Sequence, residues 1–362
     1  MYRASADFSP GRDILRSMKP RAVILTLVQV AIAVALESWL IRATLQKAKA
    51  ANVDPWSMIG AGAILPLFAA FAIFGFVQLV VTWRWSVLLR VQGVRLPFLQ
   101  LLRLTLIGQF FNLALPGAVT GDIVKMAYIA KAAPEKKAEC ILTIVIDRIF
   151  GVLGLFVLAT IFVLLHLSFL RGLDTADHDQ MMVKMAAFTV GFGSVGGILF
   201  VLAVEFHKKL LALPLMRTVV PAVAKRLPAK VCDVVTRLVC ALDLCRGHRR
   251  AVASALGLSL VVHSSLAVML LLIGRALGEG TVLAGGYFLT TQVANAVAAI
   301  PLTPGGVGLR DNCVSYFLKA LDATPAATAG FIPVLFTLLM AAWGIGGGVL
   351  FMLRSRKSAK AD

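Results

Sequence analysis

Six charged side chains lie in or beside strongly apolar segments of this chain: Asp122, Lys125, Asp147, Arg148, Arg310 and Asp311. A charge at the centre of a membrane-spanning helix costs about 2.5–3.5 kcal/mol on insertion scales, so such residues need a partner or a use. We expect them to line a polar cavity of both signs that binds a charged or zwitterionic lipid headgroup. Structural ion pairs between helices are the alternative interpretation.

The spacing of these charges predicts how they point. Asp122 and Lys125 are three residues apart, which places them on one face of a helix. Asp147 and Arg148 are adjacent, so on a helix they are about 100° apart and should meet different neighbours.

Two Pro-Gly breaks interrupt apolar segments near these charges, and a Gln-x-x-Asn pattern precedes each break. Proline removes a helical hydrogen bond and glycine allows unusual backbone angles. The helix that restarts after a break presents unpaired N–H groups suited to phosphate. The polar side chains nearby can satisfy broken backbone or bind a headgroup. With the six charges, the predicted substrate-binding residues are Gln109, Asn112, Pro116, Gly117, Thr120, Gly121, Asn295, Thr303, Pro304, Gly305, Gly306 and Gly308.

The composition is that of a protein with many membrane spans. Of the 362 residues 59% are hydrophobic and only 15% are charged, whereas a soluble domain is about a quarter charged. The net charge of +18 fits basic cytoplasmic loops better than nucleic-acid binding. We therefore predict an all-α polytopic membrane protein. Its spans are expected at about 22–41, 58–83, 141–165, 185–204, 251–273 and 327–353.

The positions of Lys and Arg predict the orientation. The N-terminus, residues 84–103, 122–140 and 205–250, and the tail are rich in them, so these segments should be cytoplasmic. Both termini are then cytoplasmic, in the inner membrane of a bacterium. The broken regions 97–131 and 282–321 become re-entrant helical hairpins, because broken backbone is tolerated only inside protein or beside a wet cavity.

This path contains an inverted-topology repeat within one transmembrane domain, 1–362. The first repeat is 1–165 and the second is 185–362, each with one hairpin. Interrupted segments at matching places in two halves are a pointer to a transport site. Residues 207–250 are predicted to be a basic amphipathic segment on the anionic lipids of the inner leaflet. The expected partners are these lipids and a lipid substrate, with an oligomer left open and no nucleic acid, cofactor or metal.

Three ordered motifs resemble the lysylphosphatidylglycerol synthase transmembrane-domain family, whose members are also described as flippase-like. They are Leu115-Pro116-Gly117-x-x-Thr120-Gly121-Asp122-x-x-Lys125, Asp147-Arg148-x-x-Gly151, and Pro301-x-x-Pro304-Gly305-Gly306-x-Gly308-x-Arg310-Asp311. The resemblance implies a lipid flippase fold. Lys125 and Asp311 depart from the family's more frequent Arg and Glu. The sequence ends at Asp362, soon after the last predicted span, so we expect a stand-alone member without the soluble aminoacyl-transferase domain.

The leading functional hypothesis is a flippase that moves an aminoacyl-phosphatidylglycerol-like or other amphipathic lipid between leaflets. The sequence contains no ATP-binding P-loop motif, so movement would be passive or coupled to an ion or proton, with Asp122, Asp147 and Asp311 as candidate carriers. We expect no enzymatic activity. The alternatives are a membrane-embedded lipid-modifying transferase and a non-transporting anchor subunit.

Overall fold

The computed structural model describes residues 60–114, 120–205, 248–300, 302–323 and 327–358, with scattered positions between 31 and 49. Several predictions concern residues outside this part. Pro116 and Gly117, most of the span at 22–41, and nearly all of the basic segment 207–250 lie outside the described residues.

Every regular element between residues 60 and 358 of the described chain is a helix, as the predicted fold class requires. In chain order the α-helices of the first half are α1 (Ile64–Val91), α2 (Phe98–Ala114), α3 (Thr120–Ala132), α4 (Lys137–Leu165), α5 (Leu167–Gly172) and α6 (His178–Glu205). Those of the second half are α7 (Arg249–Ala276), α8 (Ala284–Ala298), α9 (Leu309–Ala320) and α10 (Thr328–Ser358).

Five of these helices are long and apolar enough to cross a membrane, namely α1, α4, α6, α7 and α10. They correspond to five of the predicted spans, so the chain is a multi-pass membrane protein. The predicted boundaries were less accurate. Helix α1 continues to Val91, eight residues beyond the predicted end of that span at 83, and it therefore contains Arg84.

Two pairs of shorter helices stand between the long ones. Helices α2 and α3 have 17 and 13 residues, and α8 and α9 have 15 and 12. A span needs about 20 residues, so these helices are short for a full crossing. Within each pair the two helices pack against each other. The turn of the second pair has left-handed backbone at Gly305, Gly306 and Gly308, with φ of 58°, 74° and 78°, a conformation that glycine adopts readily.

Several helices meet at small residues that let their backbones approach closely. Helix α1 packs along α7, α2 along α10, and α4 along α8. A Cβ on Gly347 of α10 would stand 2.0 Å from the backbone oxygen of Leu106 in α2. A Cβ on Gly154 of α4 would stand 2.5 Å from the side chain of Ser259 in α7.

The connections between helices gather at the ends of the bundle. Lys136, before α4, donates a 3.4 Å hydrogen bond to the backbone oxygen of Gly93, after α1. Thr281, after α7, donates a 3.0 Å hydrogen bond to the backbone oxygen of Asp322, after α9. The start and end of the α2–α3 pair are thus close together, and so are those of the α8–α9 pair.

Candidate functional site

Asp122 is the centre of an ion cluster between α3 and α4. It is the third residue of α3, just after the first break, and its side chain is only 2% exposed. Arg148 of α4 holds it in a two-point contact, with Nε 2.5 Å from Oδ2 and Nη2 2.8 Å from Oδ1. Lys125 lies one turn further along α3, with its Nζ 3.8 Å from Asp122 Oδ1. The predicted sharing of one helix face by Asp122 and Lys125 is confirmed.

Arg148 differs from the other members of the cluster because its side chain is 49% exposed. One edge of the guanidinium is fixed by the buried carboxylate of Asp122, and about half of the side-chain surface remains accessible. A planar guanidinium has five donors, so donors remain for a second anion. Such a group binds phosphate or carboxylate with two parallel hydrogen bonds.

Lys125 is enclosed where α1, α2 and α3 meet. Its ammonium lies 5.5 Å from the ring centre of Trp85, within the range of a cation–π contact. The Lys125 side chain packs over Gly108 of α2, where a Cβ would stand 2.6 Å from Lys125 Cε. Gly108 therefore makes the room in which Lys125 lies, a role that no sequence motif indicated.

A second ion pair joins three helices. Arg84 of α1 donates to Asp147 of α4 through Nε at 2.7 Å and Nη2 at 2.9 Å. Its Nη1 donates to Ser259 of α7 at 2.8 Å. Both charged residues are buried. Asp147 and Arg148 thus have different neighbours, as their 100° separation predicted.

The assignment of Arg84 to a cytoplasmic loop was wrong. The count of Lys and Arg placed it there because the predicted span ended at residue 83. In the structure α1 continues past it, and the carboxylate of Asp147 compensates its charge inside the bundle. Its partner lies 63 residues away, so no local pattern could have revealed the pair.

The two ion pairs and Lys125 leave a net positive charge. Arg84, Lys125 and Arg148 contribute three positive charges, and Asp122 and Asp147 contribute two negative ones, which gives +1. At formal charges the group therefore has one more cation than carboxylates.

The charges after the second break form a separate, closed group. Arg310 donates to its neighbour Asp311 through Nε at 3.0 Å and Nη2 at 2.9 Å. Asp311 also accepts from Thr337 of α10 at 2.8 Å and from the Gly308 N–H at 3.1 Å. Both charged residues are buried and neutralise each other. Among the described residues no ion pair joins them to the Asp122 cluster, so their place in one common cavity stays a prediction.

The backbone around the first break is held by side chains and close contacts. Asn112 Oδ1 accepts a 2.8 Å hydrogen bond from the Gly121 N–H, so Asn112 satisfies broken backbone. A Cβ on Gly121 would stand 2.0 Å from the backbone oxygen of Gly108. At Gly305 a Cβ would be 3.7 Å from the backbone oxygen of Asn112, so the turn between α8 and α9 lies next to the last turn of α2.

The other predicted residues are placed but not assigned a ligand. Gln109 is half-buried, Thr120 begins α3, and Pro304 begins the short turn Pro304–Gly306. The buried Thr303 Oγ1 and Asn295 Nδ2 have no hydrogen-bond partner among the described residues. Their roles in substrate binding stay predictions.

His263 makes two polar contacts that the sequence interpretation missed. Its Nε2 lies 3.0 Å from the backbone oxygen of Gly151 on α4, and its own backbone oxygen accepts from Gln292 Nε2 of α8 at 3.2 Å. The only available signal was Gly151, which ends the Asp147-Arg148-x-x-Gly151 motif. A Cβ on that glycine would lie 3.5 Å from the guanidinium of Arg84.

Glu279, in the connection between α7 and α8, braces that end of the bundle. Burial raises its pKa, but hydrogen bonds from Tyr287, Val282 and Thr281 outweigh burial and hold the pKa below its ordinary value. The N–H groups of Thr281 and Val282 donate to it at 2.6 and 2.7 Å. Glu279 is structural, because its acceptor sites are occupied by this loop. In the described part of the chain no three His, Cys, Asp or Glu side chains group as metal ligands.

Comparison with known proteins gives a relative that is named as an enzyme. Glycosyltransferase AglD of Haloferax volcanii is 29% identical over 301 residues, which cover 76% of this chain and 47% of that protein. The chain thus spans about half the length of this relative. The expectation of no enzymatic activity is contradicted by this relative and is not carried further. It relied on missing local patterns, which say little about groups brought together by tertiary contacts.

The family match is broader than the match to this relative. The Lysylphosphatidylglycerol synthase TM region matches residues 26–346, which include all ten helices except the end of α10. The match also includes both breaks and both ion-pair groups. The chain therefore belongs to the lysylphosphatidylglycerol synthase transmembrane-region family.

Proposed function

We propose that this protein binds the anionic headgroup of an amphipathic lipid at Arg148 and moves that lipid between leaflets. The observation that carries the proposal is the half-exposed side chain of Arg148, whose guanidinium is held in place by the buried carboxylate of Asp122. An exposed cation at membrane depth is costly unless it meets an anion or water. A phosphate at this position would take the donors that Asp122 leaves free.

The net charge of the cluster supports an anionic rather than a cationic ligand. Its +1 charge would be neutralised by one phosphodiester. Lys125 and Arg84 are enclosed by protein, so they would act on the ligand through their field rather than by contact. The acyl chains would stay in the bilayer while the headgroup passes the cluster. The movement would be passive or coupled to an ion or proton.

The architecture that we propose for this movement is a pair of inverted repeats, 1–165 and 185–362. Corresponding features support it. Asp122 and Asp311 are each the third residue of the helix that follows a break. Each then pairs with a side chain of the next long helix, Arg148 of α4 or Thr337 of α10.

Within these repeats, α2–α3 and α8–α9 would be re-entrant hairpins that open at opposite ends of the bundle. The hydrogen bond of Lys136 to Gly93 supports one opening and that of Thr281 to Asp322 supports the other. Helix α4 has 29 residues and links the connection after α3 to the one before α6. At 1.5 Å per residue it is about 43 Å long, enough to separate the two ends by a membrane.

The two halves would then have different tasks. The Arg310–Asp311 group is buried, neutral and anchored to α10, so it would hold the second hairpin in place. The Asp122–Arg148 group is charged and open, so it would bind the headgroup. The two halves would thus have the same fold but differ in the charge and exposure of their ion pairs.

We also propose that the protein lies in the cytoplasmic membrane with both termini in the cytoplasm. Arg84 and Lys125 are buried in the bundle, so they leave the count of loop charges. Residues 84–103 and 122–140 then have three exposed Lys or Arg side chains each, four less one. The ten in 205–250 remain the main argument.

Reconstitution in liposomes tests the proposal. Leaflet exchange of labelled phosphatidylglycerol, its lysyl and alanyl esters, and a polyprenyl phosphate would be measured for wild type, Arg148→Gln and Asp122→Asn. We expect exchange of at least one of these lipids, reduced about tenfold or more in both variants because a charge-assisted pair is lost. The matched control is Arg103→Gln, which removes an exposed arginine of α2. Equal loss in the control, or no loss in the variants, would contradict the site.

A second candidate function is group transfer on a lipid-linked sugar in the same cavity, and the match to a glycosyltransferase favours it. Incubation with sugar-nucleotide and polyprenyl-phosphate-sugar donors, followed by mass spectrometry of the lipids, tests this. A glycosylated lipid that forms with wild type but not with Arg148→Gln would support transfer. Exchange without any new product would support transport alone.

A further inference from the structure

Gln292 and His263 carry buried acceptor atoms that no described residue satisfies. Gln292 is fully buried, and its Nε2 donates to the backbone oxygen of His263 at 3.2 Å. That contact fixes the orientation of the amide, because the opposite one would set two oxygens against each other. Its Oε1 is left without a partner.

The imidazole of His263 also carries an acceptor without a partner among the described residues. Its Nε2 lies 3.0 Å from the backbone oxygen of Gly151, which can only accept, so Nε2 carries the proton. In the neutral ring Nδ1 is then an acceptor, and this buried atom also has no partner among the described residues. Most buried polar atoms in proteins are hydrogen-bonded, so two such acceptors on residues that contact each other indicate a donor that the described residues do not provide.

The chemistry of this position favours a hydroxyl group over a cation. The guanidinium of Arg84 lies beside Gly151, about 3.5 Å from where a Cβ would stand, so another positive charge is disfavoured. Asn295, three residues after Gln292 on α8, adds an unpaired donor in Nδ2. A hydroxyl both donates and accepts, so it matches a mixture of neutral acceptors and donors.

The position is close to the charged cluster. Gly151 follows Arg148 by three residues on α4, a rise of about 4.5 Å. On α7, His263 follows Ser259 by one turn, and Ser259 accepts a hydrogen bond from Arg84. A headgroup with its phosphate at Arg148 would have to extend along α4 toward Gly151 to meet His263 and Gln292.

We infer that His263 and Gln292 form a subsite that binds a hydroxyl of the lipid headgroup, so that the preferred lipid carries a polyol or sugar on its phosphate. This inference rests on the proposed function, since Arg148 is taken to hold the phosphate. It adds a selection among anionic lipids that the charged cluster alone does not provide.

Two lipids that differ only in hydroxyl groups test the inference. Phosphatidylglycerol and phosphatidylpropanol have three-carbon headgroups and the same charge. Their binding to the purified full chain in detergent would be titrated by native mass spectrometry. We expect wild type to bind phosphatidylglycerol about tenfold more tightly, since a site with buried hydrogen-bonding groups rejects an analogue without them. In Gln292→Met and His263→Phe the two affinities should become equal, with phosphatidylpropanol bound as in wild type.

The outcomes separate this inference from the function on which it rests. Equal binding of the two lipids by wild type would overturn the subsite, whose acceptors would then bind only water. The Arg148 proposal would survive that result if Arg148→Gln still weakened both lipids. Failure of wild type to bind either lipid, or binding insensitive to Arg148→Gln, would overturn the proposed function itself. Binding of phosphatidylpropanol shows that each variant is folded. The comparison of the two lipids on the wild-type protein does not depend on any variant.

Discussion

At the scale of single residues, the Arg84–Asp147 pair should determine stability more than function. Both side chains are buried and bonded at two points. Arg84→Met would leave the Asp147 carboxylate buried without its partner, at a cost of about 3–5 kcal/mol. The double variant Arg84→Met with Asp147→Leu removes both charges, so it should recover most of that loss. Thermal unfolding of the purified proteins in detergent measures this, and additive losses in the double variant would contradict the argument.

The matched comparison for that pair is Arg148→Gln. Arg148 is half-exposed and its carboxylate partner also lies near Lys125, so its removal leaves Asp122 partly compensated. We expect a smaller change in unfolding temperature than in Arg84→Met, together with loss of lipid exchange. A larger loss of stability in Arg148→Gln would make the Asp122 cluster structural.

Single residues also show what the sequence could and could not predict about the site. The shared face of Asp122 and Lys125 and the divergence of Asp147 and Arg148 follow from helix geometry, so both were predictable. The partner of Asp147 was not, because Arg84 belongs to another helix and its burial depends on where α1 ends.

At the scale of elements, the crossing of α2 and α3 should tolerate no added volume. A Cβ on Gly121 would stand 2.0 Å from the backbone oxygen of Gly108, and backbone cannot turn aside as a side chain does. We expect Gly121→Ala to force the helices apart and lower the unfolding free energy by about 1–3 kcal/mol or more. The shift would also move Asp122, so lipid exchange should fall with stability.

The control for Gly121→Ala is Gly257→Ala in α7. Nothing lies within 4 Å of a Cβ at Gly257, which is exposed. Because alanine favours helix over glycine, stability there should stay equal or rise slightly. Thermal unfolding and gel filtration of the two variants measure this. An equal change of stability in both would show that the α2–α3 crossing is packed more loosely than its geometry implies.

The elements were predictable where the sequence carries a local signal. Proline, glycine and the long apolar runs predicted five spans and the second break, where the left-handed Gly305, Gly306 and Gly308 agree with the predicted unusual backbone. The importance of Gly108 was not predictable. Gly108 matters because the side chain of Lys125 from α3 packs over it, and its own sequence neighbours do not indicate this.

At the scale of the whole molecule, the order of helices was predicted from apolar runs, whereas orientation depended on charge counts that burial has changed. Arg84 and Lys125 show the reason: a sequence count cannot distinguish a loop cation from one paired inside the bundle. The inverted repeat therefore needs a measurement that is independent of charge.

Single cysteines in a variant without the native cysteines provide that measurement. Glu135 lies in the connection before α4, Asp177 before α6 and Gly280 before α8, and all three are exposed. In sealed vesicles of known orientation, a membrane-impermeant maleimide should label Glu135→Cys from the cytoplasmic side. It should label Asp177→Cys and Gly280→Cys from the other side, because α4 separates the two ends of the bundle. If Glu135→Cys and Gly280→Cys react from the same side, the two hairpins open together and the inverted repeat is wrong. If they react from opposite sides but Glu135→Cys is labelled from the outside, the inverted repeat is kept and only the cytoplasmic termini are wrong. That result would show that a charge count including the buried Arg84 and Lys125 does not predict the orientation.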